Sequence, residues 1–344
     1  MSWNNRDQPV FNASVFIVFP DCVTDLTGNH LFACPGKISM DYSGKKVLGM
    51  EEATEVMVSP HSGKSAGVSV KTLLLAVLRR LGIYRRLKSS CLFDFYLAVT
   101  DKRRIENRRK ELEFYRRTLR GFKPQNLIFD IGANIGEKTD VFLRLGARVI
   151  AVEPDPTGQE VLRQSYLDFR LVKKPVVIVG KAVSEQAGWQ RMWVDEPGSA
   201  LNSLSSKWVD ILRIDPSRFG GSVEFSRARE VETTTLDELI KRYGTPFYAK
   251  IDVEGYEATV LSGLNTAIPF VSFEVNLPQF RPEALQCIDH LERVAKGGKY
   301  NYARDCLTGL ALESWLPKDS FVDVLSRCPE SSVEVFWMSP GAQC

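Results

Sequence analysis

Histidine is scarce in this chain: its 344 residues hold three, His30, His61 and His290. The first two stand in a stretch with no recognisable motif, and His290 falls opposite Ile288, Leu291 and Val294 on a predicted helix, so a histidine general base is excluded by counting. Seven cysteines (Cys22, Cys34, Cys91, Cys287, Cys306, Cys328 and Cys344) are odd in number, widely spaced and free of any CxxC pair. That spacing excludes a zinc site of familiar form and a disulfide framework, and it suits a reducing compartment. No metal site is assigned. Long apolar runs are missing too, since residues 15–20 and 73–78 fall well short of the ~20 a membrane span needs. No signal peptide with a small-residue cleavage site is evident. A soluble, cytoplasmic protein is therefore expected. Glycine (24) and proline (17) are too few, and aromatics at 10% too many, for a collagen-like or wholly disordered chain.

The net charge of +3 conceals an uneven distribution. Residues 1–66 carry 5 basic and 7 acidic side chains, residues 67–123 carry 16 and 5, and residues 124–344 carry 24 and 30. Residues 1–66 show neither helical nor strand periodicity and are expected to be a poorly ordered tail, with Met50 or Met57 as an alternative start. In 67–123, Leu74, Val77, Leu78, Leu81 and Tyr84, and then Ile105, Leu112, Tyr115 and Leu119, fall at helical spacing. Two amphipathic helices result, with paired arginines such as Arg108 and Arg109 on their polar faces. They are expected to pack on the domain that follows, and their arginines suit an acidic acceptor or peripheral contact with a membrane surface.

From Pro124 onward strand and helix alternate: strands at 127–131, 148–153, 176–179, 247–251 and 270–275, helices at 136–145, 158–169, 236–243, 256–264 and 282–295, and late strands near 300–303 and 333–338. Such βαβ alternation predicts a mainly parallel, doubly wound α/β sheet with ligands at the carboxyl ends of its strands. Residues 185–230 break the alternation and read as an insertion near that rim.

The segment Ile128-Phe129-Asp130-Ile131-Gly132-Ala133-Asn134-Ile135-Gly136 ends an apolar strand in a carboxylate and turns tightly into a helix on two glycines four apart. It lacks the third glycine of a dinucleotide fingerprint and the Gly-Lys-Ser/Thr of a P-loop. A second strand ends at Glu153, 23 residues after Asp130, where a carboxylate can accept hydrogen bonds from both ribose hydroxyls. Together these features indicate an adenosyl ligand without a bridging pyrophosphate.

With FDIGANIGEKT, VIAVEPDP, GKAVSE, TTTLDEL, KIDVEGYE and VSFEVN in order, the chain resembles the FkbM-type family of class I S-adenosylmethionine-dependent methyltransferases, from about Phe122 to Asn276. The resemblance implies a Rossmann-like, mainly parallel seven-stranded sheet with helices on both faces, preceded here by the basic helical segment. It also implies S-adenosylmethionine as cofactor, with Asp130, Gly132, Asn134 and Gly136 at its methionine part, Glu153 at the ribose, and Ala182 and Val183 beside the adenine.

Asp252, Glu254, Glu274 and Asn276 close the next two strands and should face the same rim. Asp252, Glu254 and Glu274 are the candidate catalytic residues, for binding an acceptor hydroxyl and taking its proton. The expected activity is O-methylation of a sugar, polysaccharide precursor or polyketide-like metabolite. The alternative is an RNA or DNA methyltransferase bound through the basic segment. It is disfavoured because Asn276-Leu277-Pro278-Gln279-Phe280 lacks the second proline of a base-holding motif and follows the wrong strand.

Overall fold

A computed structural model of the chain describes residues 102–167, 174–215, 223, 225 and 227–342, together with the backbone of three short strands before them. The chain divides into two units, residues 1–67 and 68–344, each described by itself. In the first, β1 (Ile17–Phe19), β2 (Cys22–Thr24) and β3 (His30–Leu31) pair antiparallel in that order. The rest of the expected tail, and the basic helix expected from Val68, lie outside the described residues.

The second unit is built on α1 (Lys102–Thr118), β4 (Leu127–Ile131), α2 (Glu137–Arg144), β5 (Arg148–Val152), α3 (Pro156–Tyr166), β6 (Val176–Val179), β7 (Ala182–Val183), β8 (Gly188–Val194), α4 (Ser206–Ile214) and β9 (Arg227–Thr234). It continues with α5 (Leu236–Tyr243), β10 (Tyr248–Ile251), α6 (Glu257–Ser262), β11 (Phe270–Asn276), α7 (Arg281–Val294), β12 (Lys299–Ala303), β13 (Leu316–Pro317), α8 (Lys318–Ser326) and β14 (Ser332–Met338).

The central sheet runs β6-β5-β4-β10-β11-β14-β12-β13. The five strands from β6 to β11 are parallel, and β14 lies antiparallel between β11 and β12. This is the mainly parallel, Rossmann-like arrangement that the alternation of strand and helix predicts. The sheet has eight strands rather than the expected seven, because Leu316–Pro317 adds a two-residue edge strand antiparallel to β12. Two residues are too few to show an alternating pattern.

Buried on both sides, β4 reads Leu-Ile-Phe-Asp-Ile with every residue enclosed, as a central parallel strand requires. Leu127, Phe129 and Ile131 join Ala249, Ile251, Val271 and Phe273 in the core beneath α5, α6, α7 and α8. Ile128 joins Tyr248, Phe270 and Phe142 on the opposite face, with α1, α2 and α3. Strand alternation carries Asp130 and Lys250 to that second face, and the register sets them opposite each other.

Helix α1 buries Phe114, Tyr115 and Leu119 there and leaves Arg109, Arg116 and Arg117 exposed. Tyr115 meets Phe142 and Tyr248 at ring separations of 5.1 and 6.0 Å, and its hydroxyl lies 3.6 Å from Cys306 Sγ.

The expected insertion contributes most of a separate sheet, ordered β7-β9-β8. Helix α4 stands beside that sheet and starts at Ser205, whose side chain accepts the Trp208 N–H. Among the described residues no helix is long and apolar enough to cross a membrane.

Because Tyr115 is fully enclosed by the sheet's aromatic core, Tyr115→Ala should lower unfolding free energy by about 3 to 5 kcal/mol in denaturant titration. A change under ~1 kcal/mol would mean that α1 is only loosely attached.

Candidate active site

After β4 the chain must turn within a few residues into α2, and three positions do so at positive φ: Gly132 (80°), Asn134 (45°) and Gly136 (88°). Asparagine tolerates this region better than other side chains. At Gly132 a side chain is impossible, since an added Cβ would sit 1.8 Å from the carbonyl oxygen of Asp252. The backbones after β4 and β10 thus touch where the strand order reverses, which is where open α/β sheets place ligands.

Glu153 follows β5 and is buried. Its Oε2 accepts the Asn134 N–H and its Oε1 the Asp155 N–H, each at 2.7 Å, so the glycine loop and the start of α3 are fixed to one carboxylate. Burial pushes its pKa up to about 7, against the lowering effect of the two N–H bonds.

These parts open onto a narrow pocket at the carboxyl ends of β4, β5 and β10. Gly132, Asn134, Glu153, Ala182, Val183, Asp252 and Glu254 all line it. Asp130 and Gly136 do not line it. The Asp130 carboxylate instead accepts the Thr139 hydroxyl at 2.5 Å, tying β4 to the first turn of α2. Ser199, Ala200, Asn202, Ser203 and Leu204 of the insertion line the pocket's other side, and Asp155 holds this segment by accepting the Gly198 N–H and the Asn202 amide.

Past Asp252 lies a second basin of about 950 Å³, open to solvent, whose polar wall includes Glu111, Lys138, Lys250, Glu274, Arg304 and Glu334. Asp252 borders both spaces. Its Oδ2 accepts from the Lys250 ammonium at 2.6 Å, and the Lys250 side chain is only 4% exposed. Burial works to raise the Asp252 pKa, but the Lys250 charge and hydrogen bond, with a further hydrogen bond from Glu274, hold it below the usual carboxylate value. Glu274, which also accepts the Ser332 hydroxyl at 2.8 Å, is pushed up to about 8 by burial and by the Asp252 charge. Glu254 is driven well upward by burial and by the charges of Glu274 and Asp252. Of the three, Asp252 is the one pushed toward the ionised form, and Glu254 and Glu274 are pushed toward the protonated form.

The carboxylates of Asp252, Glu254 and Glu274 lie within 4.8 Å of one another. Strand alternation is not what joins the first two, because β10 ends at Ile251 and Glu254 sits in a left-handed turn (φ 54°). The turn is held by buried Glu257, which accepts the N–H groups of Val253 and Gly255, and by the Ser203 hydroxyl, which donates to the Glu254 carbonyl at 2.7 Å.

Sequence reasoning passed over Lys250, Lys138, Ser203 and Tyr256. Lys250 had a readable signal, since a lysine inside an apolar strand needs an anion nearby. Ser203 and Tyr256 had none, because their partners are 51 and 66 residues away.

Residues 130–297 match the model of the methyltransferase FkbM domain. This segment is an FkbM methyltransferase domain. The match starts at Asp130 and takes in every candidate site residue.

No curated protein matches the chain. Among solved structures, a TehB-like SAM-dependent methyltransferase from Corynebacterium glutamicum is similar at 9% identity and TM-score 0.33, over 67% of this chain and 87% of that one. Precorrin-6y C5,15-methyltransferase from Geobacter metallireducens is similar at 12% and 0.32, over 67% and 88%. The plantazolicin methyltransferase BpumL in complex with SAH is similar at 9% and 0.33, over 78% and 99%. Likenesses this distant say nothing about the FkbM domain's acceptor.

Glu153, Glu257 and Glu274 hold protons in the folded state that the unfolded chain releases near its ordinary carboxylate pKa. Stability of the ligand-free protein should therefore fall as pH rises from about 5 to 8, and Glu274→Gln should flatten the upper part of that decline. Denaturant midpoints across this range, unchanged between the variant and the parent, would contradict the assignment.

Proposed function

We propose that the FkbM domain transfers a methyl group from S-adenosylmethionine to a hydroxyl oxygen of a polar small molecule or sugar. The observation that carries this reading is Asp252 standing at the boundary of two spaces, one framed by the glycine loop and Glu153, the other walled with charge. The chemistry of the first space's lining suits the cofactor. Each Glu153 oxygen keeps a lone pair for a ribose hydroxyl after taking its backbone N–H, Ala182 and Val183 offer apolar surface for a purine, and Gly132 leaves room for close backbone approach. Asp130 and Gly136 would act from behind, by shaping the loop.

Bound S-adenosylmethionine supplies a methyl group already activated on a sulfonium. The chain's own residues then need to align an acceptor hydroxyl, exclude water and accept one proton. Asp252 is the favoured base, because Lys250 favours its ionised form while Glu254 and Glu274 are shifted toward their protonated forms. As the acceptor oxygen is methylated, Asp252 would take the hydroxyl proton. The charged wall of the basin, where Leu307, Val333 and Cys306 are the apolar exceptions, favours a hydroxyl-rich acceptor over a polyketide-like one. The base-modifying alternative is weakened by position, since the turn after β10 is Asp252-Val253-Glu254 and the Asn276 segment follows β11.

Glu153→Ala should weaken S-adenosylhomocysteine binding in calorimetry by about 1.5 to 3 kcal/mol for each charged hydrogen bond lost. In the parent protein that affinity should rise with pH through about 7, as Glu153 ionises to receive the ribose. A pH-independent affinity, or binding of NAD in its place, would remove the assignment.

Asp252→Asn should lower turnover by ~10²- to 10⁴-fold with an identified acceptor. It should also destabilise the fold, because Lys250 is left as an unpaired buried charge. Pairing it with Lys250→Met should restore stability and leave turnover low. Recovery of turnover in the double variant would make Asp252 structural.

A further inference from the structure

Beside the acceptor basin lies a second open groove that the catalytic reading does not use. It is the larger, with about 1490 Å³ of space, and it runs along α1 against the loop between β12 and β13. The two spaces meet at Leu307, which lines both. They also share α1: Asn107 and Glu111 face the basin, while Arg109, Arg116 and Arg120 on and just past that helix face the groove.

The groove's charge is one-sided. Lys110 is paired with Glu106 and Arg117 with Glu113, and both pairs lie on α1 itself. Arg116 and Arg120 are exposed and form no ion pair among the described residues, and exposed Arg109 acts on Glu106, against one further groove carboxylate, Glu313. Two unpaired guanidinium groups along one wall are suited to phosphate, whose oxygens take paired N–H donors. Leu307 and Trp315 give the same groove apolar surface.

From this adjacency we infer that the methyl acceptor is phosphorylated, with its reacting hydroxyl at Asp252 and its phosphate or diphosphate group against Arg116 and Arg120. This rests on the methyltransferase reading of the basin and adds the chemical class of what enters it. Arg116 comes five residues after the basin residue Glu111, roughly 7 Å along the helix axis at 1.5 Å per residue, and Arg120 stands beyond the helix end. The phosphate therefore lies apart from the basin, as in a sugar phosphate or sugar diphosphate ester, whether free or borne on a lipid. Such a ligand spans a polar basin and a cationic groove that meet at one residue, and a neutral sugar leaves the groove without a role.

The test titrates inorganic pyrophosphate into the full chain at constant ionic strength, with and without saturating S-adenosylhomocysteine. Saturable binding is expected, weakened at least tenfold by Arg116→Glu with Arg120→Glu and unchanged by the control reversal Arg227→Glu with Arg229→Glu on β9. A second arm presents phosphatidylcholine vesicles containing phosphatidic acid. Binding to these vesicles without binding to pyrophosphate, lost on the α1 reversal alone, supports the lipid-borne form.

Absence of both, or equal loss in the control pair, overturns the inference, as does binding of single-stranded RNA by a chain that ignores pyrophosphate. Methyl transfer from labelled S-adenosylmethionine into cell-extract small molecules should enter the fraction retained on an anion exchanger. Label in the unretained fraction also overturns the inference. S-adenosylhomocysteine binding, measured on the same samples, reports on the methyltransferase reading separately: it can hold while the phosphate inference fails.

Discussion

An ammonium group enclosed by a β-sheet needs a fixed anion within reach, and in this domain that requirement organises the chemistry. Lys250 belongs to the strand at the centre of the sheet and shares a face with Asp130, its register partner on β4. The charges of Asp252, Glu334 and Asp130 offset its burial and keep it protonated. In return Asp252 is favoured in its ionised form at the mouth of the strand, while burial and the Asp252 charge push the acids beside it the other way. A single buried cation thus sets one carboxylate apart from its two neighbours, without a histidine.

The same strand end fixes the cofactor side. The Asp252 carbonyl lies where a side chain at residue 132 would have to go, so the glycine loop and the carboxylate cluster are built against each other. Glu153 clamps the far side of the loop through Asn134 and reaches α3 through Asp155, which in turn draws the insertion over the pocket by way of Asn202. A shift in any of these would be felt at the others, because they are linked by short hydrogen bonds to backbone.

Much of this was legible from local pattern. The buried run of β4, the two glycines four apart and the carboxylate ending β5 are short-range features, and they fall where the sequence predicts them. What escaped was set by distant partners or by brevity. β13 has two residues. Glu254 reaches its neighbours through a left-handed turn that extended geometry would not place. Asp130 has the look of a ligand in sequence, yet its carboxylate is engaged by Thr139, a bond that needs the first turn of α2 to be in place. The arginines of α1 read as one basic block, and only packing divides them into those paired on the helix and those facing a groove.

Strand β14 comes after every other strand in the chain, yet it is inserted between β11 and β12. It brings Glu334, which accepts hydrogen bonds from Ser272 and Cys306, while Ser332 at its start bonds Glu274. The residues of the glycine loop and the Glu153 clamp are therefore translated well before Ser332 and Glu334, which complete the basin wall. Until β14 is in place β11 has an open edge, so closing that edge and finishing the acceptor side are one and the same event.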